Sequence, residues 1–494
     1  MTDTLIFPSE STCQDGERFS NFTINHLPDE LLLEIFDSCR QGISPCEFLW
    51  KEKHGWFSMA HVCRKWRAIM FASSSRLDLG ISVRLQKLGE IKTVLSDPLP
   101  ISIKFGTIHT KPTGGDKRRM RAALKQYRAR VREIFFNGGS AWFDKYFKKF
   151  SNVTGCNFPV LESLSMEFRY RDAPKLINTF LGGPDQSNVH LRRLKLRGVS
   201  FASISGLLSS STSLTDLYLL TDFALSLSSE MLLVACLQGM SCLRCLTLYT
   251  PPRPIESPSQ PSTPNDIVVL SHLTRFTYSG PSGLLNALVA GLSAPSLQNI
   301  MFQFIDAIWP PVVHLPRFIN EIEDPYDSVR AFFINGDFRL GLLNQSEPTN
   351  YLYPRRFSFE SESCLKVFPE SVIRISGAVS ARFSTVEKLL ISFDKTTAED
   401  YVPWRWFFQQ FPRVKILRTE GENNHCIARF LLQDYKKPDG NLALLPSLEE
   451  IELGKYPPAL TIYEIQREPE LAAFDPFVSA RQQAGRPVKV FLAP

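Results

Sequence analysis

A six-residue pattern, apolar-x-x-apolar-x-apolar, recurs through the chain beyond residue 100. Ten clear copies and a weaker one at Val414 start 23 to 34 residues apart, with one interval of 57 residues. Because side chains alternate between the faces of a strand, each copy predicts a strand whose fourth and sixth residues enter a core. The long interval predicts a degenerate copy within 357–375. The clear copies are Val131–Phe136, Leu161–Met166, Leu191–Leu196, Leu214–Leu219, Leu243–Leu248, Leu273–Tyr278, Leu297–Phe302, Val329–Ile334, Val386–Ile391 and Leu448–Leu453.

Helical patterns lie between several of these predicted strands. They cover Ser226–Met240, Ser282–Leu292, Ala398–Gln410 and His425–Tyr435. A strand alternating with a helix at a near-constant interval predicts an α/β fold, and over residues 80–494 it resembles a divergent leucine-rich-repeat solenoid, or horseshoe. An ordinary α/β sheet domain is the alternative.

The alternation along each strand also predicts which side chains face a partner. Positions three, five and seven of each copy should point to the concave face of such a solenoid. This face suits recognition of a protein segment, although any repeat protein exposes polar residues there for solvation. The predicted partner contacts are Arg193, Lys195, Arg197, Tyr218, Tyr249 and Arg275.

The N-terminal part, residues 24–76, predicts a small all-helical domain instead. Pro28 suits the first turn of a helix, and Leu31, Leu32, Ile35 and Phe36 follow at helical spacing. A second helix is predicted near Ser58. Its apolar positions are Met59, Val62, Cys63, Trp66, Ile69 and Met70. A unit of about 50 residues buries only about 60% of its surface alone. Its apolar faces should therefore pack on the rest of the chain or dock another protein.

The two segments INHLPDELLLEIFDSC and FSMAHVCRKWRAIM together resemble the F-box. The resemblance implies that these helices form a surface for a Skp-type adaptor. The connector at 41–57, with Trp50 and Trp56, is longer than usual and is similar to that of F-box-like proteins from mushroom-forming fungi. A self-packed helical hairpin is the alternative. The implied adaptor-binding residues are Leu27, Pro28, Leu31, Ile35, Phe36, Val62 and Trp66.

The resemblance implies a substrate-recognition subunit of an adaptor–cullin–F-box ubiquitin ligase. Its partners would be the adaptor, through it a cullin, and an unknown target protein. The alternative is a repeat scaffold without a ligase role. We expect no enzymatic activity and no cofactor, because the sequence lacks a Gly-rich nucleotide-binding motif, a GxSxG elbow and an HExxH metal motif.

The net charge of +6 has a local origin. Residues 117–132 contain eight basic residues and no acidic one. Their spacing predicts a helix with a basic outer face, which is either solvated or binds an anionic segment or nucleic acid. Nothing in the pattern indicates base recognition, so we do not expect nucleic acid as the partner. The predicted basic patch is Arg118, Arg121, Lys125, Arg128 and Arg132.

The remaining features favour a protein of the cytoplasm or nucleus that contacts no membrane. Ten cysteines are too few for a disulfide scaffold, and no secretory signal is recognisable in the flexible tail predicted at 1–23. Cys242 and Cys245 form a CxxC, but residues three apart on a strand face opposite sides, so we expect no metal site. Six prolines predict an extended loop at 250–266. Its Ser-Pro and Thr-Pro pairs resemble phosphorylation sites, but a plain linker is the simpler interpretation.

Overall fold

A computed structural model describes the larger part of the chain, in two compact units divided near residues 83–103. The first unit contains the two N-terminal helices, and the second contains the strands and helices from residue 103 onward. The described residues are 27–41, 62–73, 81–84, 100–105, 126–138, 158–168, 190–199, 201, 204–220, 227–250, 267–304, 313–323, 326–334, 337–343, 377, 380, 382–393, 404–420, 424–435, 444–454 and 471–492.

The described helices begin and end close to their sequence signals. The helices are α1 (Asp29–Gln41), α2 (Arg64–Ala72), α3 (Ser205–Ser210), α4 (Leu227–Gln238), α5 (Ser282–Ala290), α6 (Leu315–Asn320), α7 (Trp404–Gln409), α8 (Asn424–Tyr435) and α9 (Asp475–Gln483). In the first unit, α1 follows Pro28 and carries Asp29 and Glu30 in its first turn, where negative charge suits the helix dipole. Cys63 caps α2, because its sulfur accepts a hydrogen bond from the backbone N–H of Trp66 at 3.4 Å.

Two sheets account for the described strands. The strands are β1 (Ile81–Arg84), β2 (Ile101–Phe105), β3 (Val131–Gly138), β4 (Ser163–Phe168), β5 (Arg193–Arg197), β6 (Asp216–Leu220), β7 (Cys245–Tyr249), β8 (Val268–Val269), β9 (Arg275–Gly280), β10 (Leu292–Ser293), β11 (Asn299–Phe304), β12 (Ser328–Ile334), β13 (Asp337–Leu343), β14 (Lys388–Phe393), β15 (Ile416–Glu420), β16 (Glu450–Gly454) and β17 (Lys489–Leu492). In the second unit, the order is β3-β4-β5-β6-β7-β9-β11-β13-β12-β14-β15-β16-β17, and β8 pairs with β10 separately. The predicted mixed α/β class, with a large sheet and helices, is confirmed.

One backbone contact repeats between successive strands and holds them in register. The carbonyl of Glu162, the second residue of its six-residue copy, accepts hydrogen bonds from the N–H groups of Arg192 and Arg193 at 2.8 and 2.9 Å. The carbonyls of Arg192, Thr215, Arg244 and Thr274 each accept the same pair of bonds from the next strand. Equivalent positions of neighbouring copies therefore lie side by side across the sheet.

Burial follows the predicted alternation. Positions one, four and six of the copies are almost completely buried, as in Leu161, Leu164 and Met166. Buried leucines of the crossover helices, such as Leu208 and Leu237, complete the core. Positions three, five and seven lie on the opposite face of the sheet, here called the open face.

One predicted copy is wrong by three residues. Val329 pairs with Leu389 and Ala331 with Ile391, which are positions four and six of their own copy. The actual copy therefore starts at Tyr326, which is 1% exposed. The run VRAFFI satisfies the apolar pattern in the wrong phase, whereas the actual copy has a tyrosine and an alanine at core positions.

The interval of 57 residues adds no strand between the two strands that bound it. β12 pairs directly with β14, so no strand of the intervening segment lies between them in the sheet. Another departure is β13, which pairs antiparallel with both β11 and β12 and interrupts the parallel order. Ile334 of β12 lies opposite Asp337 of β13, so the chain reverses direction between these two residues.

Arginines tie successive helices of the second unit together. The Arg317 guanidinium of α6 donates to the carbonyls of Val289, Ala290 and Leu292, at 2.7, 3.0 and 3.3 Å, at the end of α5. Arg382 donates to the carbonyls of Asn320 and Ile322 at the end of α6. A cation there satisfies carbonyls that lack intrahelical donors and opposes the negative end of the helix dipole.

Several sequence predictions fall outside the described residues. They are the tail 1–23, the connector at 42–57, the Pro-rich loop 250–266, the degenerate copy at 357–375, and Arg118, Arg121 and Lys125 of the basic patch.

We predict that Arg317→Met lowers the free energy of unfolding by about 1–3 kcal/mol, because buried carbonyls lose a charged donor. Urea denaturation of the full chain measures this. In the control, Glu321→Gln removes only the 3.5 Å ion pair with Arg317. That partly exposed pair should contribute less than about 1 kcal/mol. Equal losses in the two variants would show that the ion pair, not the helix cap, stabilises the unit.

Candidate functional site

The first unit exposes an apolar strip beside its own core. Leu31 and Ile35 of α1 are 45% and 38% exposed, and Val62, just before α2, is 56% exposed. The spacing of Leu31 and Ile35 places both on one side of α1. We call these three side chains the apolar strip. Pro28 is exposed next to it, and Leu27 is half-buried.

The other predicted adaptor-binding residues form the core under this strip. Phe36 is 1% exposed and Trp66 is 8% exposed, and their rings meet edge to face with centroids 4.9 Å apart. The four apolar residues predicted to share one face of α1 therefore divide into two stripes. Leu32 and Phe36 point inward, whereas Leu31 and Ile35 point outward.

A polar contact holds the starts of the two helices together. The Lys65 ammonium of α2 donates to the carbonyl of Leu27 at 2.9 Å and lies 3.4 Å from the Asp29 carboxylate. Val62 lies three residues before Lys65, and Leu31 lies two residues after Asp29. This contact therefore joins the first turn of α2 to the residues that begin α1.

In the second unit, the register places the predicted partner contacts in rows across the open face. The first row runs through Glu133, Ser163, Arg193, Asp216, Cys245 and Arg275. The next row contains Lys195 and Tyr218 side by side, and the third contains Arg197 and Tyr249. Four strands, β5, β6, β7 and β9, thus present the six predicted residues on one face.

Two of these cations contact carboxylates, and the sequence analysis predicted neither pair. Arg193 reaches Glu133 across the small Ser163, with its guanidinium 2.7 Å from the carboxylate. Lys195 lies 2.8 Å from Glu167, which also accepts from the Asn137 amide at 3.3 Å. The constant repeat length would have revealed the first pair, because Glu133 and Arg193 both occupy position three of their copies.

Tyr218 lies at the centre of this surface. The Lys195 ammonium lies 5.2 Å from the centroid of its ring, in a cation–π contact, and the Tyr249 ring lies 5.7 Å away. Burial, with Tyr249 and Glu167 nearby, raises the pKa of the Tyr218 phenol far above its usual range, against an opposing effect of Arg197. The phenol is therefore neutral at physiological pH. Tyr249 itself is only 5% exposed, so it packs beside Tyr218 and has little surface left for a partner.

Long side chains beside short ones leave a depression in the open face. This cavity of about 250 Å³ is lined by Arg193, Lys195, Asp216, Tyr218, Cys245 and Arg275, among others. Four of the six predicted partner contacts thus line one cavity. Arg197 and Tyr249 do not line it. The Arg275 guanidinium donates to the sulfur of Cys245 at 3.8 Å.

The charges at the other end of the open face neutralise one another. Arg418 contacts Glu420 at 3.0 Å and Glu452 at 3.8 Å, and Lys388 contacts Glu452 at 3.4 Å. The Ser392 hydroxyl donates to Glu420 at 3.1 Å. This compact network has its carboxylates largely buried, so it is a structural element of the sheet.

The prediction of a basic helix over residues 117–132 is wrong at the C-terminal end of that range. Arg128 lies in a short 3-10 helix, Arg128–Arg130, and Val131 begins strand β3. Arg132 is therefore on a strand, where it pairs with Glu162 at 2.7 Å. Val131 and Arg132 fit both the six-residue strand pattern and the helical pattern. They adopt the strand, in register with β4.

Metal ligands do not cluster within the described residues. No group of three His, Cys, Asp or Glu side chains that could hold a metal ion is found among them. Cys242 is exposed just before β7, Cys245 is half-buried at the start of β7, and neither forms a disulfide. Among the described helices, none has the length and apolar character needed to cross a membrane.

No protein-family model matches the chain, and no curated protein matches it in sequence. Among solved structures, the chain is similar to one from the crystal structure of the Rad7 and Elc1 complex in yeast. The two are 11% identical, the alignment covers 88% of this chain and 91% of that chain, and the TM-score is 0.30. These comparisons assign no family to the chain.

The Cys236 thiol on α4 should react more slowly than the Cys242 thiol just before β7. Burial raises the pKa of the Cys236 thiol, although a 3.4 Å hydrogen bond with Ser209 opposes the effect. A raised pKa leaves less reactive thiolate at pH 7–9, so Cys236 should be alkylated about tenfold more slowly than the exposed Cys242. Iodoacetamide labelling followed by peptide mass spectrometry measures both rates. Urea should remove the difference, and equal rates in the folded protein would contradict the burial of Cys236.

Proposed function

We propose that the chain is a non-catalytic substrate receptor of an adaptor–cullin–F-box ubiquitin ligase in the cytoplasm or nucleus. The first unit would be an F-box that docks on a Skp-type adaptor. The second unit would be a leucine-rich-repeat body that binds the target protein. The observation that carries the proposal is the apolar strip of Leu31, Ile35 and Val62, which remains exposed although the unit has its own buried core.

The strip has the features of a docking surface. Its three side chains project from α1 and from the residue just before α2. These two helices are held together by the Phe36–Trp66 ring contact and by the hydrogen bond from Lys65 to the Leu27 carbonyl. A preorganised apolar surface loses little conformational entropy on binding. Burying one exposed Leu, Ile or Val side chain stabilises a complex by up to about 1.5–3 kcal/mol.

The second unit supports a receptor role through its repeated strands. Parallel strands in constant register present a long polar face, and such faces suit recognition of an extended protein segment. Arg418, Glu420 and Glu452 already pair with one another. The cavity over β4–β9 is therefore the part of the described open face whose side chains are best placed for a partner.

Such a receptor acts by proximity. It would hold the target near a ubiquitin-conjugating enzyme carried elsewhere in the complex, which raises the effective concentration of the target's lysines. The chain itself would contribute no reacting group.

The adaptor contact is tested by co-expressing the full chain with a Skp-type adaptor and following co-elution in size-exclusion chromatography. Wild type should co-elute. Ile35→Asp and Val62→Asp should each weaken docking about tenfold or more, because each buries a charge in an apolar contact. The control is Glu30→Gln, an exposed position on another side of α1 that should leave co-elution unchanged.

Circular dichroism melting should show all three variants folded, since the changed side chains are exposed. A well-folded wild type that does not co-elute would overturn the adaptor proposal and favour a repeat scaffold without a ligase role.

A further inference from the structure

The cavity on the open face exists because its neighbouring side chains are short or turn away. Beside Arg193, strands β6 and β7 contribute Asp216 and Cys245 in the first row, and Thr247 follows in the second. The Arg193 guanidinium turns away from Asp216 to meet Glu133 on β3 at 2.7 Å. The space of about 250 Å³ is smaller than the pockets of about 300–1,000 Å³ that bind drug-sized molecules. It suits a single side chain of a partner.

Asp216 supplies the acidic group among the residues that line this cavity. Its Oδ2 atom accepts a hydrogen bond from the Thr215 hydroxyl at 2.7 Å. The carboxylate forms no ion pair with any other residue that the structure describes. Because an ionised carboxylate has about four acceptor sites, the Thr215 bond leaves capacity for a donor from a partner.

The charges in and beside the cavity are balanced. Arg193 is held by Glu133, and Lys195 by the largely buried Glu167. With Asp216 there are as many carboxylates as cations, so the surface favours neither an anion nor a cation. A neutral side chain enters without breaking either ion pair. The three cations that line the cavity are Arg193, Lys195 and Arg275.

An aromatic ring that carries a hydrogen-bond donor fits this combination of groups. Cations are attracted to the face of such a ring, as the Lys195 ammonium is to Tyr218 at 5.2 Å. A cation–π contact does not compete for the acceptors that a cation already has, so Arg193 and Arg275 can keep their present contacts. A hydroxyl at the tip of the ring would supply the donor for Asp216. Among aromatic side chains, tyrosine carries a hydroxyl at this position.

We propose that the cavity binds a tyrosine side chain of the target protein. The phenol would donate to Asp216, and the ring would lie over the short side chains of Cys245 and Thr247. Both contributions come from charged groups of the cavity, the carboxylate and the surrounding cations. The inference rests on the proposed role of the second unit as the target-binding body, and it specifies an anchor residue of that target. Tyrosine is typical of residues that dominate the affinity of an interface.

Saturation-transfer difference NMR on the purified full chain tests the side chain, because the method detects weak ligands of large proteins. The probe is the acetylated and amidated peptide Gly-Ser-Tyr-Ser-Gly, compared with the same peptide carrying Phe, Leu or Lys at its centre. We expect the Tyr probe to bind about tenfold more tightly than the Phe probe, which lacks the hydrogen bond to a charged acceptor. Equal binding of these two probes, or tighter binding of the Leu or Lys probe, would overturn the proposal.

Substitutions at the cavity locate the site. Asp216→Ala should weaken the Tyr probe about tenfold and leave the Phe probe nearly unchanged, since only the phenol uses the carboxylate. The control Glu450→Ala makes a matched change at position three of another copy, outside the cavity, and should have no effect. Thr247→Phe should fill the space and abolish the binding of both probes. A Tyr preference that survives in Asp216→Ala would overturn the assignment.

Circular dichroism melting checks that these variants fold. Asp216→Asn, which keeps the shape of the side chain and removes its charge, is the second variant at this position. It should also reduce the preference for the Tyr probe over the Phe probe, because hydrogen bonds to a charged acceptor are stronger than those to a neutral one.

Two further arms separate this proposal from its rivals. Ile35→Asp should abolish adaptor co-elution and leave binding of the Tyr probe unchanged, so the adaptor contact and the tyrosine site can fail independently. Nucleic-acid bases also stack on cationic and aromatic side chains. A single-stranded oligonucleotide that binds more tightly than the Tyr probe and loses affinity in Thr247→Phe would assign the cavity to nucleic acid instead, which would overturn the proposal.

Discussion

The second unit depends on one repeated contact, a backbone carbonyl that accepts hydrogen bonds from two consecutive N–H groups of the next strand. It recurs from Glu162 to Thr274, and again from Asp327 to Lys415, with distances of 2.8–3.1 Å. A slip of one residue would turn every core side chain toward solvent, so the contact and the buried positions specify the same register. Because the strands cannot slide, their outward side chains also occupy fixed rows.

The rows explain how a functional surface arises from a repetitive core. Positions three and five point away from the leucine core, so they can hold Arg193, Lys195 and Tyr218 without disturbing the leucines. Small residues such as Ser163 and Cys245 in the same rows let the long side chains lie across the sheet. The sequence of large and small residues along a row therefore determines both the cavity and its charge pattern.

Much of this was predictable from the sequence because the core pattern is strictly periodic. The strands at most of the predicted copies, and the faces of their side chains, follow from leucine spacing alone. Tyr326 and Ala331 could not be recognised, since neither matches a leucine pattern and the nearby VRAFFI run matches it better. The sequence analysis missed the last strand, β17, for a similar reason. Lys489 pairs with Glu450, which is the third residue of its copy, so the first position in β17's copy is Pro487.

The candidate sites were predictable to a different degree. Motif spacing named the residues of the first unit, but not that Phe36 and Trp66 lie inside while Ile35 and Val62 lie outside, because that division depends on how two helices meet. In the second unit, the repeat length alone would have predicted that Glu133 lies in the same row as Arg193.

The two candidate surfaces differ in the physical basis of binding, and this separates their partners. Docking on the apolar strip would remove Leu31, Ile35 and Val62 from water, an effect that salt barely weakens. A partner at the cavity lined by Arg193 and Asp216 would instead be held by charges, which are screened within about 8 Å at physiological ionic strength. A receptor built in this way would keep its adaptor in high salt while it releases its target.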